Sequence, residues 1–242
     1  MSPSLLLVAH GTRDPGGPRV IDRLAAAAAA RLEVPVRVAY VDVIGPTVVE
    51  ALRGLDGPVV ALPAFLAAGY HVRTDLPEQV AASGRRDVVV GRSLGPAPEL
   101  AAVMLERLRA AGWRPGARVV FAAAGSSDER ALADVRIAAR LLGRHCGQRL
   151  VPSYVSTASP NTAEICRPGD VIAPYLLAPG LFHRRLAELP AAGIAAPIGD
   201  HPAVVDVLAR RYREARDEAI EHGSRAVSLT PVGYSLRGSA AG

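Results

Sequence analysis

The chain repeats itself, so whatever unit it folds into is built twice. Tyr40-Val41, Pro46 and Glu50 return as Tyr154-Val155, Pro160 and Glu164, a constant spacing of 114. At the same spacing His10-Gly11-Thr12-Arg13-Asp14 falls on Ala124-Gly125-Ser126-Ser127-Asp128. Val60-Ala61-Leu62-Pro63 with Gly69 matches Val171-Ile172-Ala173-Pro174 with Gly180 at 111, and Leu94-Gly95 with Pro98 matches Ile198-Gly199 with Pro202 at 104. Collinear matches at a slowly shrinking spacing describe a tandem duplication with small deletions in the second copy. The join falls near Gly112–Gly116, where Gly, Trp and Pro interrupt the pattern. The expected halves are residues 1–113 and 114–226, followed by a loose tail, 227–242.

Each copy reads as alternating strand and helix. In the first, short apolar runs predict strands over Leu5–Ala9, Val36–Val41, Val59–Pro63 and Asp87–Val90. Between and after them, helices are expected over Arg19–Leu32, from Pro46 to Arg53, over Asp75–Ala82 and over Pro98–Ala111. The second copy gives Val119–Ala123, Asp128–Leu142, Leu150–Val155, Asn161–Ile165, Val171–Leu176, His183–Leu189 and Ala203–Glu221. Alternation of this kind predicts an α/β fold: two similar domains, each a parallel four-stranded sheet flanked by helices. Hydrophobic residues make up 50% of the chain and aromatics only 4%, which suits such an aliphatic core better than a β-sandwich.

Composition also narrows the function. All 28 basic residues are arginine and the net charge is +5, yet they are dispersed and form no tract interleaved with aromatics, which argues against a nucleic-acid partner. A mild positive field still suits a small acidic substrate. No apolar run approaches the roughly 20 residues of a membrane span, and no signal-peptide pattern opens the chain, so a cytoplasmic location is expected. Cys146 and Cys166 are too few for a disulfide framework and read as buried thiols.

Ligands of a parallel sheet bind beyond the carboxyl ends of its strands, so the residues that follow strands are the candidates. His10 ends the first strand. It either satisfies backbone groups of a tight βα turn or presents a neutral imidazole to a metal or a proton, with Gly11 permitting close approach. His71 follows the third strand in "PAFLAAGYHVRTD", after the small apolar stretch Leu66-Ala67-Ala68-Gly69-Tyr70. That stretch is either tucked into the core or is a wall for a flat apolar ligand. Two imidazoles from neighbouring strand ends can hold a transition metal with open positions, and two ligands favour transient handling over a structural site. Secondary candidates are Asp42, as third ligand, proton acceptor or ordinary turn carboxylate, and Arg73, as a carboxylate partner or a solvated side chain. In the second copy Ala124 replaces His10. His183 stands one residue out of register with His71 unless one residue is inserted there, and His201 follows that copy's fourth strand. The second copy therefore reads as a structural half that closes over the first.

"LLLVAHGTRDP", "PAFLAAGYHVRTDLP" and "LGPAPEL" together resemble the CbiX/SirB family of class II tetrapyrrole chelatases, the sirohydrochlorin cobaltochelatases and ferrochelatases. The duplicated layout over residues 4–222 resembles the long, two-domain form. The resemblance implies ATP-independent insertion of Co²⁺ or Fe²⁺ into sirohydrochlorin, for siroheme or cobalamin, with no organic cofactor. It implies His10 as metal ligand and acceptor of pyrrole protons, His71 as second ligand, Leu66–Tyr70 as macrocycle lining, and a monomer that is its own pseudo-dimer. Where relatives carry Glu, an acidic residue and His, this chain has Asp42, Gly45 and Ala97. A carrier that binds metal and tetrapyrrole without metallating is the alternative. The His-Gly of histidine phosphatases fits poorly, because the Arg it needs before the histidine is Ala9 here.

Overall fold

The computed structural model describes residues 2–227, with side chains as far as residue 220. Apart from Val227, the expected tail lies outside the described residues. The first copy runs β1 (Ser4–Ala9), α1 (Gly16–Leu32), β2 (Val36–Tyr40), α2 (Val48–Arg53), β3 (Val59–Pro63), a π-helical turn (His71–Asp75), α3 (Leu76–Ala82), β4 (Val88–Val90) and α4 (Pro98–Ala110). The second runs β5 (Val119–Ala123), α5 (Glu129–Cys146), β6 (Pro152–Tyr154), α6 (Thr162–Ile165), β7 (Val171–Tyr175), α7 (Leu181–Ala187), β8 (Gly193–Ile194) and α8 (Pro202–Val227).

Several boundaries differ from the sequence pattern for local reasons. Helix α1 opens at Gly16, ahead of Arg19, directly after a turn in which the Asp14 carboxylate accepts the Gly16 N–H. Helix α5 passes Leu142 and stops at Cys146, where Gly147 takes a left-handed conformation. The stretch expected to open α3 at Asp75 is instead a π turn, and α8 outruns its expected end at Glu221. Glu50 is structural: it closes a capping box with Thr47 at the start of α2.

Each copy makes one parallel four-stranded sheet, ordered β2-β1-β3-β4 and β6-β5-β7-β8. The register preserves the duplication: Val8 pairs with Pro63 as Ala122 pairs with Pro174, the same 114 and 111 spacings seen in the sequence. Strand β1 is buried throughout and apolar at nearly every position, as a strand covered on both faces must be. Its alternate side chains serve two cores. Leu5, Leu7 and Ala9 join Phe121 and Ala123 of β5 in a core shared by both copies. Leu6 and Val8 face α2 and α3 on the outside, as Val120 and Ala122 face Cys166 and Leu186.

Packing crosses the join. The loop at Gly112–Gly116 separates α4 from β5, yet α4 packs against α5 and β7, while α8 packs back on α1, β3 and β4. Each copy thus hands its last helix to the other, which binds the halves through the shared core. Cys146 and Cys166 are free and buried. No described helix is long and apolar enough to cross a membrane.

Candidate metal-handling cleft

The turn after β1 is built by backbone hydrogen bonds that hold His10 at the strand end. Val41 N–H donates to the Ala9 carbonyl and Asp42 N–H to the His10 carbonyl, both at 3.0 Å. Gly11 completes the turn at φ +97°, and a Cβ there would lie 2.1 Å from the Asp42 carbonyl oxygen, so only glycine fits. The second copy repeats the turn: Val155 and Ser156 donate to Ala123 and Ala124, and Gly125 sits at φ +108°. The turn is therefore the scaffold, and the imidazole is what the first copy adds to it.

Adjacent pairing of β1 and β3 brings His71 to His10. Their rings lie 4.6 Å apart between centroids at 59°, and Phe65 flanks both at 6.4 Å. At this separation one nitrogen from each ring can address a single ion at bond lengths of about 2.1 Å. His71 Nδ1 is hydrogen-bonded to the Asp75 carboxylate. A carboxylate only accepts, so Nδ1 carries the proton and Nε2 keeps its lone pair. The same carboxylate charge, followed by that of Glu78, pushes the neighbouring Tyr70 phenol up. Asp75 is not among the sequence candidates, although its spacing of four from His71 in a helix-forming stretch is a readable signal.

The π turn explains the register of the second copy. Arg73 N–H donates to Gly69 and Arg184 N–H to Gly180, both at 3.0 Å and both ends spaced by 111. His71 thus matches Phe182, and His183 matches Val72; the insertion considered for the second copy is absent. The extra residue is in the first copy, where Leu76 N–H reaches back five residues to His71. Beyond it, fully buried Leu76 and Leu186 face the two outer cores at a spacing of 110.

The loop Leu66–Tyr70 is braced against the other half. The Leu66 carbonyl accepts the Tyr175 hydroxyl at 2.7 Å, and Ala68 N–H donates to Asp134 at 2.9 Å. Leu66 and Ala67 pack on the shared core, Gly69 approaches Ala131, and Tyr70 emerges 58% exposed. The exposed Arg73 braces the same loop through Nε on the Ala68 carbonyl at 2.7 Å. Asp42 is an exposed turn carboxylate that accepts its neighbour's N–H, from Val43.

A cavity of about 390 Å³ opens beside His10, and its other wall belongs to the second copy. Ile21, Tyr40 and Ala64 line it from the first half; Leu176, Pro179, Phe182 and His183 line it from the second. This loop is the duplicate of Leu66–Tyr70, which the 111 spacing could have flagged. It is tied across the halves by an Arg184–Asp14 ion pair, and the Asp14 carboxyl is held low first by the Gly16 N–H and then by Arg184. His201 does not line this cavity: its Nδ1 accepts Ala203 N–H at the start of α8 and its Nε2 faces Glu106 at 3.3 Å. Among the described residues no three His, Cys, Asp or Glu side chains form a closed metal cluster. The arrangement is an apolar cleft with His10 in its lining; His71 packs on His10 from beside it, and neither His71 nor the loop Leu66–Tyr70 lines the cavity.

Comparison with known proteins matches this chain to the CbiX family model twice, over residues 4–111 and 118–215. A sirohydrochlorin cobaltochelatase of Methanococcoides burtonii is 34% identical over 79 residues, 31% of this chain and 60% of that relative's length. One from Methanothermobacter thermautotrophicus is 27% identical over 130 residues, 44% of this chain and 91% of the relative. SirB from Bacillus subtilis with Fe³⁺ superposes with a TM-score of 0.76 at 23% identity, covering 91% of this chain and 98% of SirB. CbiX, the terminal enzyme for siroheme biosynthesis in denitrifying bacteria, gives 0.68 at 24% identity, covering 88% and 99%.

Proposed function

The chain belongs to the CbiX family, and from that premise we propose that it is a sirohydrochlorin chelatase, inserting Co²⁺ or Fe²⁺ into sirohydrochlorin without ATP. The observation that carries the reading is the His10–His71 pair, 4.6 Å apart at the ends of paired strands. Metallation must strip water from a divalent ion and remove two pyrrole protons. His71, with its Nδ1 proton held by Asp75, presents Nε2 to the ion. His10, exposed at its strand end, is the second ligand and takes a pyrrole proton when the ion passes to the macrocycle. As a class, imidazole can both ligate a divalent ion and exchange protons near neutral pH, which suits that exchange.

The apolar walls at Ile21, Leu176, Pro179 and Phe182 suit a flat macrocycle, and the arginine-rich surface suits its carboxylated rim. The loop Leu66–Tyr70 leads into His71 and sets the Tyr70 ring edge-on to it, 6.0 Å between centroids. Because one chain supplies both walls, the protein works as a monomer, in siroheme or cobalamin biosynthesis. Imidazole ligands accept cobalt, iron and nickel alike, so the pathway's metal is set by supply as much as by the site.

The test is anaerobic incubation of the purified protein with sirohydrochlorin and either Co²⁺ or Fe²⁺, following the absorbance change on metallation. The expected result is a rate above the spontaneous one. Binding of both reactants with only the spontaneous rate would instead establish a carrier.

A further inference from the structure

The second half contributes a histidine of its own, His183, to the wall that faces His10. Each metallation breaks two pyrrole N–H bonds and forms metal–nitrogen bonds in their place, so two protons must find acceptors. An imidazole nitrogen that holds the ion cannot take a proton at the same time. His71 has Nδ1 on Asp75, and on the chelatase reading its Nε2 is the nitrogen that holds the ion. His10 supplies one acceptor as the ion leaves it. Among the described residues, the titratable groups that line the cavity besides His10 are Tyr40 and His183. Burial pushes the Tyr40 phenol up, with the charge of Asp22 adding to it, which removes it as a base near neutrality. That leaves His183.

His183 is set up for the task by its other nitrogen. Nε2 lies 3.3 Å from the Ala195 carbonyl, which can only accept, so Nε2 carries the proton and Nδ1 keeps a lone pair. The helix that bears it is fixed to the first half by the Arg184–Asp14 pair, which holds the second wall beside His10. We propose that His183 is the second proton acceptor of the chelatase reaction, acting on the macrocycle from the wall contributed by the second copy. In that step a pyrrole N–H proton passes to Nδ1 and leaves an imidazolium, the freed nitrogen pair binds the metal, and nothing is oxidised or reduced. Product release returns the proton to solvent. The second copy, though it lost the counterpart of His10, thereby remains a catalytic half.

This inference rests on the chelatase reading, and its test separates the two. His183→Gln keeps an N–H donor for Ala195 and removes the base; His183→Ala opens a space that free imidazole can fill. With Co²⁺ and sirohydrochlorin, kcat for both variants should fall about 100-fold or more, while Co²⁺ binding to the protein alone, read from its visible spectrum, matches wild type. Added imidazole should restore much of the rate of His183→Ala and none of that of His183→Gln. A wild-type rate in His183→Gln, or a slow His183→Ala that imidazole leaves slow, would overturn the proposal with the chelatase reading intact. A wild-type protein that fails to metallate would remove both.

Discussion

The hydroxyl of Tyr175, at the end of β7, donates to the carbonyl of Leu66 at 2.7 Å, so the second sheet holds the loop that delivers His71 from the first. Gly95 lies against the same bond: a Cβ there would fall 2.2 Å from the Leu66 oxygen and 2.4 Å from the Tyr175 oxygen. Tyr175→Phe should cost about 1 kcal/mol, and Gly95→Ala should cost more, since neither atom it strikes can withdraw without breaking the bond. Urea unfolding of both variants checks the order; equal stability of Gly95→Ala and wild type would contradict it.

Alkaline pH should weaken the fold in two stages. Burial raises the thiols of Cys146 and Cys166 and the phenols of Tyr40, Tyr154, Tyr175 and Tyr212. A group raised in the folded state contributes stability that is complete below its unfolded pKa and is lost as pH climbs through the folded one. Stability should therefore decline above about pH 8.5 through the thiols and more steeply above about pH 10 through the phenols. The chain has no lysine to mask these stages. Urea midpoints measured from pH 7 to 11 test this, and a flat profile across pH 10 would be inconsistent with it.

Gly11 and Gly125 make the same turn with different cargo. Gly11→Ala meets both a positive φ and the Asp42 oxygen, and should cost about 1–3 kcal/mol or more while displacing His10. Gly125→Ala, 2.8 Å from the Thr157 oxygen, should destabilise as well but leave Co²⁺ binding intact. Unfolding paired with Co²⁺ titration distinguishes the two. Undiminished metal binding in a folded Gly11→Ala protein would show that the turn does not position the imidazole.

The duplication makes the two sheets and their order of elements legible, because a repeated period records backbone geometry twice. Burial of "LLLVA" and the strand-end placing of His10 followed from apolar runs in a parallel sheet. Three things escaped. The exchange of α4 and α8 depends on tertiary packing across the join, which no local pattern encodes. The π turn at His71 is one extra residue in a helix, invisible while the offset was read only at matching motifs. The apolar stretch Leu66–Tyr70 fits a ligand wall and a core loop equally in sequence, and the choice escapes because apolar composition alone does not distinguish a pocket from an interface between halves; Leu66 and Ala67 pack on the shared core.

Asp75 should matter to metal before it matters to the macrocycle. Asp75→Ala frees Nδ1 of His71 and should weaken Co²⁺ binding about 10- to 100-fold. Asp75→Asn, whose amide oxygen can still accept the Nδ1 proton, should fall between that variant and wild type. Titration of the visible Co²⁺ spectrum without tetrapyrrole reads this directly; an Asp75→Ala protein that binds as wild type would show that the carboxylate does not set the tautomer.

The central claim is that His10 and His71 together deliver the metal. Its most direct measurement is the anaerobic rate of Co²⁺ insertion into sirohydrochlorin by His10→Ala and His71→Ala, each checked for a native circular dichroism spectrum. The account predicts that either substitution alone brings the rate down to the spontaneous one. Folded variants that both keep the wild-type rate would contradict it.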